Sequence, residues 1–332
     1  MRVLVAGGAG YIGSHVVKAL LEGGHETITY DNLSKGHVEA LHGGEFIQGD
    51  ILDQDRLSRV LQERKVDLVI HLAADTAVGE SMVNPAKYYW NNVVGGLKLL
   101  DSMRSAGVKY IVFSSSAAVY GEPAHIPIRE DAPCNPTNVY GETKLIFERM
   151  LASYDRSYGL KYVSFRYFNA AGADPSGAIG EDHDPETQLI PLVLQTALGL
   201  RPSIEIFGID YDTPDGTCIR DFIHVSDLAS AHVLAAEALL GGMGSRIYNL
   251  GNETGNSVRE VIRVCEEVVG HKIPVKEGPR RPGDPAMLVA SSELARRELG
   301  WTPRFPDLKD IVATAWNWHK NHPYGFAGAR GR

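Results

Sequence analysis

Val3-Leu-Val-Ala-Gly-Gly-Ala-Gly-Tyr-Ile-Gly13 opens the chain, and its spacing decides the fold. Residues 2–6 are apolar enough for a short buried strand. Gly7, Gly10 and Gly13 then recur at every third position and predict a tight turn. Residues 14–22 supply a helix with Val16, Val17, Ala19, Leu20 and Leu21 as its apolar surface, and Gly23-Gly24 ends it. Residues 26–30 predict a second strand with Asp31 at its carboxyl end. This succession of strand, glycine turn, helix, strand and acid suits a dinucleotide. Glycines let backbone amides approach a pyrophosphate, and the helix N-terminus adds free N–H donors and positive dipole. An acid after the second strand hydrogen-bonds a ribose 2′-hydroxyl and repels a 2′-phosphate, which favours NAD over NADP.

The rest of the chain is compatible with such a protein. Its 332 residues suffice for about two domains. With 44% hydrophobic and 22% charged residues it has a globular composition, and no apolar run approaches the ~20 residues of a membrane helix. The N-terminus shows no signal-peptide pattern. Cys134, Cys218 and Cys265 are scattered and odd in number, which argues for a reducing, cytoplasmic compartment and against a disulfide framework. No Cys/His spacing suggests a metal site. A net charge of −8 without a basic stripe argues against nucleic acid as a partner, so an anionic substrate would need local arginines.

Downstream, strands and helices alternate. Asn32-Leu33-Ser34-Lys35-Gly36 is a polar loop over which an adenosine could lie. A strand at 45–49 leads to Asp50-Ile51, where Asp50 either reaches an adenine amino group or caps a helix at 52–63. The apolar strand 66–72 ends in Leu72 and runs into Ala73-Ala74, small enough for a cofactor to approach closely. Residues 85–106 predict one long helix, and 110–114 and 161–166 two further strands. The expectation is an α/β doubly wound parallel sheet, with ligands beyond the carboxyl ends of its strands.

The chemistry-bearing residues fall there. Ser114-Ser115-Ser116 ends the fifth strand, and Tyr140-Gly-Glu-Thr-Lys144 opens the next helix. Tyr140 and Lys144 lie four apart on one face, which Phe147, Leu151 and Tyr154 continue as buried surface. Tyrosine, with a pKa near 10, is a poor base at neutral pH. A nearby ammonium and an oxidised nicotinamide both favour its phenolate. With Ser116 holding the reacting oxygen, the three residues form an acid/base device for alcohol–ketone interconversion.

Ser114-Ser-Ser-Ala-Ala-Val-Tyr-Gly121, Tyr140-Gly-Glu-Thr-Lys144 and Arg166-Tyr-Phe-Asn169 resemble the UDP-galactose 4-epimerases of the extended short-chain dehydrogenase/reductase family, along nearly the whole chain. The resemblance implies a Rossmann domain at 1–170 and a smaller mixed α/β nucleotide-sugar domain at 171–332, with part of 217–270 packing back on the first. It places Tyr11 and Ile12 in the pyrophosphate loop, and Leu72, Asn91, Ser114 and Phe168 along the NAD cofactor. Thr76 departs from the pattern, since many members carry a lysine there. Substrate contacts are implied at Ser116, Tyr140, Asn169, Gln188, Leu189, Glu205 and Phe207. Arg220 and Arg281 are implied for the UDP phosphates, Asp284 for the ribose, and Leu288 beside the sugar's C2 substituent. A register one residue different would put Met287 there instead. Leucine in place of the tyrosine of narrower members implies room for UDP-N-acetylglucosamine as well as UDP-glucose.

The implied reaction is 4-epimerisation through a transient 4-keto sugar, by a homodimer. Dehydratases and decarboxylases of the same family place an acid just after the active-site hydroxyl, where this chain has Ala117-Ala118. A non-enzymatic NAD-binding sensor would typically have lost the tyrosine or lysine. A simple NAD-linked alcohol dehydrogenase would not need the two arginines.

Overall fold

A computed structural model describes residues 1–281 and 284–326. Strands β1 (Arg2–Ala6), β2 (Glu26–Asp31), β3 (Glu45–Gln48), β4 (Leu68–His71), β5 (Tyr110–Ser116) and β6 (Lys161–Tyr167) come first. Between them lie helices α1 (Tyr11–Glu22), α2 (Gln54–Glu63), α3 (Val78–Val83), α4 (Pro85–Tyr88), α5 (Gly96–Ala106) and α6 (Val139–Tyr158). Then follow β7 (Asn169–Ala171), α7 (Leu189–Ala197), β8 (Ile204–Phe207), β9 (Ile219–His224), α8 (Val225–Leu240) and β10 (Arg246–Leu250). The remainder is β11 (Gly255–Ser257), α9 (Val258–Val269), β12 (Val275–Gly278), β13 (Met287–Leu288), α10 (Glu293–Leu299) and α11 (Leu308–Asn321).

Seven strands form one parallel sheet in the order β3-β2-β1-β4-β5-β6-β10. Strand periodicity sends alternate residues to opposite faces. Val3 and Val5 join Val16, Val17 and Leu20 of α1 and Leu228, Ala231 and Ala235 of α8 in one core. Leu4 and Ala6 join Leu57 and Leu61 of α2, Leu99 and Leu100 of α5, and Phe147 and Leu151 of α6 in the other. Strand order reverses between β1 and β4, so their carboxyl ends open the crevice where α/β sheets bind ligands. Within 217–270, α8 and β10 belong to this larger sheet's layers, whereas α9 packs with α7 and α11 through Val261, Ile262 and Cys265. A smaller sheet joins β7, β11 and β13 to β9, and β8 pairs with β12. Residues 327–332, the end of the expected second domain, lie outside the described residues.

One expectation needs correction, and one of two alternatives falls away. The helix at 85–106 is not uniform: α4 passes through a π turn, Tyr89–Gly95, before α5 begins. Its widened backbone accompanies a buried asparagine, Asn92, that reaches across to α6. Asp50 does not cap α2. Asp53 does, accepting from the Arg56 amide, while Asp50 accepts from Leu52 N and Asn32 Nδ2.

Candidate active site

The glycine turn separates two reasons for having glycine. Gly7 has φ +81°, and a Cβ on it would stand 2.5 Å from the Ala73 nitrogen. One on Gly13 would meet the Gly7 carbonyl at 2.1 Å. The protein itself fills those spaces. A Cβ on Gly10 would meet only the Gly7 carbonyl, at an ordinary 3.5 Å. Gly10 precedes α1 with no side-chain cap, so it leaves the first-turn amides open to an anion. Tyr11 and Ile12 turn their side chains inward: the Tyr11 hydroxyl donates to the Gly172 carbonyl at 2.7 Å, and Ile12 packs on the core. Only their backbone can serve an anion at the turn.

Asp31 is buried at the end of β2. Its carboxylate accepts from Ala9 N at 3.0 Å and Leu33 N at 2.8 Å. Burial raises its pKa, and these two amides oppose the rise. Asn32 Nδ2 donates to Asp50 Oδ2 at 2.9 Å, and Ser34 N to Asn32 Oδ1 at 2.9 Å, so the 32–36 loop is ordered from within. Gly36 lies against Ala9, a packing requirement of the turn itself. Lys35 donates to the Asp184 carbonyl. Ile51 is buried under Gly95. Leu72, Ala73 and Ala74 follow β4 half-buried, and Thr76 is exposed.

Asn91 donates to Asn92 at 3.3 Å. Asn92 is the structural member of the pair. It donates to Thr143 Oγ1 and the Asp75 carbonyl, both at 3.0 Å, and accepts from Asp75 N at 2.9 Å, tying the loop after β4 to α6. The sequence lists both asparagines, but the π turn that buries one has no recognisable pattern.

Ser116, Tyr140 and Lys144 come together where β5 ends and α6 begins. Asn138 caps α6 by accepting from Gly141 N at 2.8 Å, and the Tyr140 amide donates to Ser81 Oγ at 3.2 Å. Burial pushes the Tyr140 phenol up to about 12, against the pull of the Ser116 hydroxyl. Burial also brings the Lys144 ammonium down to about 7, against the attraction of Glu148. Lys144 Nζ stands 5.7 Å from the Tyr140 ring centre and donates to the Ser114 carbonyl at 2.8 Å. In the chain alone burial dominates at Tyr140, and the lowering expected of the tyrosine is a joint effect of the Lys144 ammonium and an oxidised nicotinamide. Phe168 packs with Ala117 and Leu145 in the adjoining cluster.

A segment from Gly172 to Gln188 closes over the glycine turn. Besides the Tyr11 and Lys35 bonds, Lys18 pairs with Asp174 at 3.0 Å and His37 with Asp182 at 3.4 Å. His183 meets Glu181 at 3.2 Å and Glu186 at 3.8 Å. Burial works against its charge, but these carboxylates lift the imidazole to about 10, so the trio is an internal ion cluster. Read singly in the sequence, His183 gives no sign of it.

The substrate-side candidates divide between two places. Arg220 on β9 pairs with Asp284, and Leu288 lies opposite Arg220 in the parallel β13–β9 register. Leu288 also packs on the cluster containing Ala117 and Phe168, which brings it towards the β5 end. Met287 lies opposite Ile219. On β8, Glu205 and Phe207 share a face, and the Arg281 guanidinium sits 3.9 Å from the Phe207 ring centre. Asn169 is half-buried on β7. Gln188 precedes α7 with its amide donated to Glu186, and Leu189 opens that helix. Pro282 and Gly283, inside the Arg281–Asp284 motif, lie outside the described residues.

Residues 3–251 match the NAD dependent epimerase/dehydratase family, a span that includes the glycine turn, Asp31, Ser116, Tyr140 and Lys144. The chain belongs to that family. Within it, a UDP-glucose 4-epimerase of Halalkalibacterium halodurans is 57% identical over 327 residues, 98% of each chain. The crystal structure of UDP-glucose 4-epimerase from Brucella ovis in complex with NAD has 50% identity and a TM-score of 0.93, covering 95% of this chain and 97% of that one. The Bifidobacterium longum UDP-glucose 4-epimerase, in complex with NAD+ and UDP, has 40% identity and a TM-score of 0.93, covering 98% and 100%. Among the described residues, no helix of this epimerase-family chain is long and apolar enough to cross a membrane.

Proposed function

We propose that the protein is an NAD-dependent UDP-glucose 4-epimerase, interconverting UDP-glucose and UDP-galactose through a transient 4-keto sugar. The observation that carries this reading is the Ser116–Tyr140–Lys144 group at the β5 end, its tyrosine and lysine buried, in a chain alike along 98% of its length with a UDP-glucose 4-epimerase. The cradle fits NAD: Gly10 leaves the α1 amides open, and Asp31 is placed for an unphosphorylated ribose. NAD bound there supplies the hydride acceptor and donor for the sugar's C4 and, when oxidised, a positive charge that favours the Tyr140 phenolate.

Tyr140 takes the proton of the C4 hydroxyl and later returns it, while Ser116 holds the same oxygen. Lys144, as an ammonium, favours the phenolate through the site's electrostatics and fixes the β5 end through Ser114. Arg220 and Arg281 hold the UDP phosphates, since guanidinium forks suit paired phosphate oxygens. Grip on UDP keeps the 4-keto sugar in place while its ring turns to offer the other face. Ala117-Ala118 rather than a carboxylate stands just after Ser116, so the elimination expected of a dehydratase lacks its acid. Purified protein given UDP-galactose without added NAD should form UDP-glucose, read by chromatography. Failure to form it under conditions where the protein is folded and NAD-loaded contradicts the assignment.

The reading includes a C₂ homodimer. Met82, Val83, Tyr89, Trp90 and Leu97 are exposed along the helical segments preceding and within α5. Pairing this stretch and α6 with a second copy covers them. Light scattering should give about twice the 36.2 kDa chain mass at micromolar concentration. A persistent monomer refutes it. The three cysteines are free, which suits a cytoplasmic protein.

A further inference from the structure

Tyr140 and Lys144 lie at i and i+4 on α6, and the next position on that face, i+8, is Glu148. A carboxylate there, only 4% exposed, requires partners. It has four hydrogen bonds. Arg166 donates Nε at 3.0 Å and a terminal nitrogen at 2.6 Å, a bidentate fork. Ser115 Oγ donates at 2.5 Å and Ser164 Oγ at 3.4 Å. Arg166 is itself completed by the Tyr120 hydroxyl at 3.0 Å and the Glu130 carbonyl at 3.3 Å, and Tyr120 donates to Asn249 at 2.7 Å. None of these groups touches the reacting atoms in the proposed reaction.

The position of Ser115 gives this network its bearing on the site. It lies between Ser114, whose carbonyl receives the Lys144 ammonium, and Ser116, whose hydroxyl acts on Tyr140. We propose that Glu148 is a positioning residue of the epimerisation site. Held by Arg166, it clamps Ser115, and so fixes the β5 end against the helix face that carries Tyr140 and Lys144. Its negative charge also opposes the loss of the Lys144 proton that burial favours. The inference rests on the epimerase reading given above.

The other groups facing this pair do not provide that charge. Burial with the Lys144 charge drives His71 on β4 down to about 3, and burial drives His232 on α8, 3.4 Å from Ser114, down to about 4, so both are neutral. Burial raises Tyr140 beside Lys144, Tyr167 by Tyr140 and Ser114, Tyr162 facing Glu148, and Tyr120 and Cys134 around Arg166, keeping them neutral too. Glu130, across Arg166, is raised by burial and turns its carboxylate to the Asn249 amide at 2.9 Å. Arg149, the next residue on α6, is exposed and of the wrong sign.

The test compares kcat and KM against pH for wild type, Glu148→Gln and Ser115→Ala, all NAD-loaded. Glutamine keeps the shape and an acceptor oxygen but removes the charge, so Lys144 should lose its proton earlier. The alkaline limb of kcat should move down by roughly one pH unit with KM for UDP-galactose unchanged. A folded Glu148→Gln enzyme with the wild-type limb overturns the proposal. Ser115→Ala leaves every charge in place, so kcat should fall several-fold at an unmoved limb and unchanged KM, and an unaltered kcat overturns the clamp. This second variant decides the matter if the glutamine variant does not fold. If wild type itself fails to convert UDP-galactose, the epimerase reading has failed rather than the role of Glu148.

Discussion

Tyr140→Phe is expected to lower turnover by about 10³-fold, within the range that general acid–base groups contribute. The reason lies in the oxygen alone. The ring is buried, and its backbone amide is held by Ser81, so phenylalanine keeps the packing and the capped start of α6. Folding and NAD content should therefore be unchanged. The C4 hydroxyl would lose the group that takes its proton, and Ser116 is no substitute, because an unassisted serine is far too weak a base. Single-turnover rates on NAD-loaded protein check this, and near-normal turnover would remove tyrosine from the mechanism. Lys144→Ala should act differently. The site would lose the cation that favours the phenolate, so the acidic limb of the pH–rate profile should move to higher pH.

Leu288→Tyr is expected to alter specificity rather than catalysis. Leu288 stands opposite Arg220 and packs towards Ala117 and Phe168, which places it between the candidate phosphate contacts and the β5 end. Wild type should epimerise UDP-N-acetylglucosamine as well as UDP-glucose. A tyrosine at 288 should cut the first activity by roughly 10²-fold or more, through overlap with the acetamido group, and spare the second. Initial rates on both substrates decide it. Absence of UDP-N-acetylglucosamine turnover in wild type, or equal loss of both activities in the variant, would assign the pocket wall elsewhere, with Met287 the next residue to change.

Most of the sheet could be read from period and punctuation. The run Val3 to Ala6, the glycines and Asp31 are local signals, and they led to β1, α1 and β2 with boundaries moved by a few residues. Ser116, Tyr140 and Lys144 were legible because four-residue spacing on a helix and a serine at a strand end are short-range facts. What could not be read depends mostly on structure beyond the local pattern. Of the two readings of Asp50 the cap falls away, because α2 begins at Gln54 and Asp53 holds the Arg56 amide. The π turn at Tyr89–Gly95 carries Asn92, whose partner Thr143 is 51 residues away. Glu148 shows no sign in the sequence, since an acid in a helix reads as solvated until Arg166 is seen paired with it in the core. The partners of His183 are local, two and three residues away, but 181–186 has no helical or strand period to show that the three side chains converge.

A redox-neutral inversion at C4 can be followed by giving the purified, NAD-loaded protein UDP-galactose with no added cofactor and recording sugar product and absorbance at the wavelength of reduced nicotinamide together. Many turnovers of UDP-galactose to UDP-glucose per enzyme are expected, with no reduced nicotinamide accumulating beyond the small fraction of enzyme caught in mid-cycle. Reduced nicotinamide rising in proportion to product, or an oxidised or dehydrated sugar in place of UDP-glucose, would contradict it.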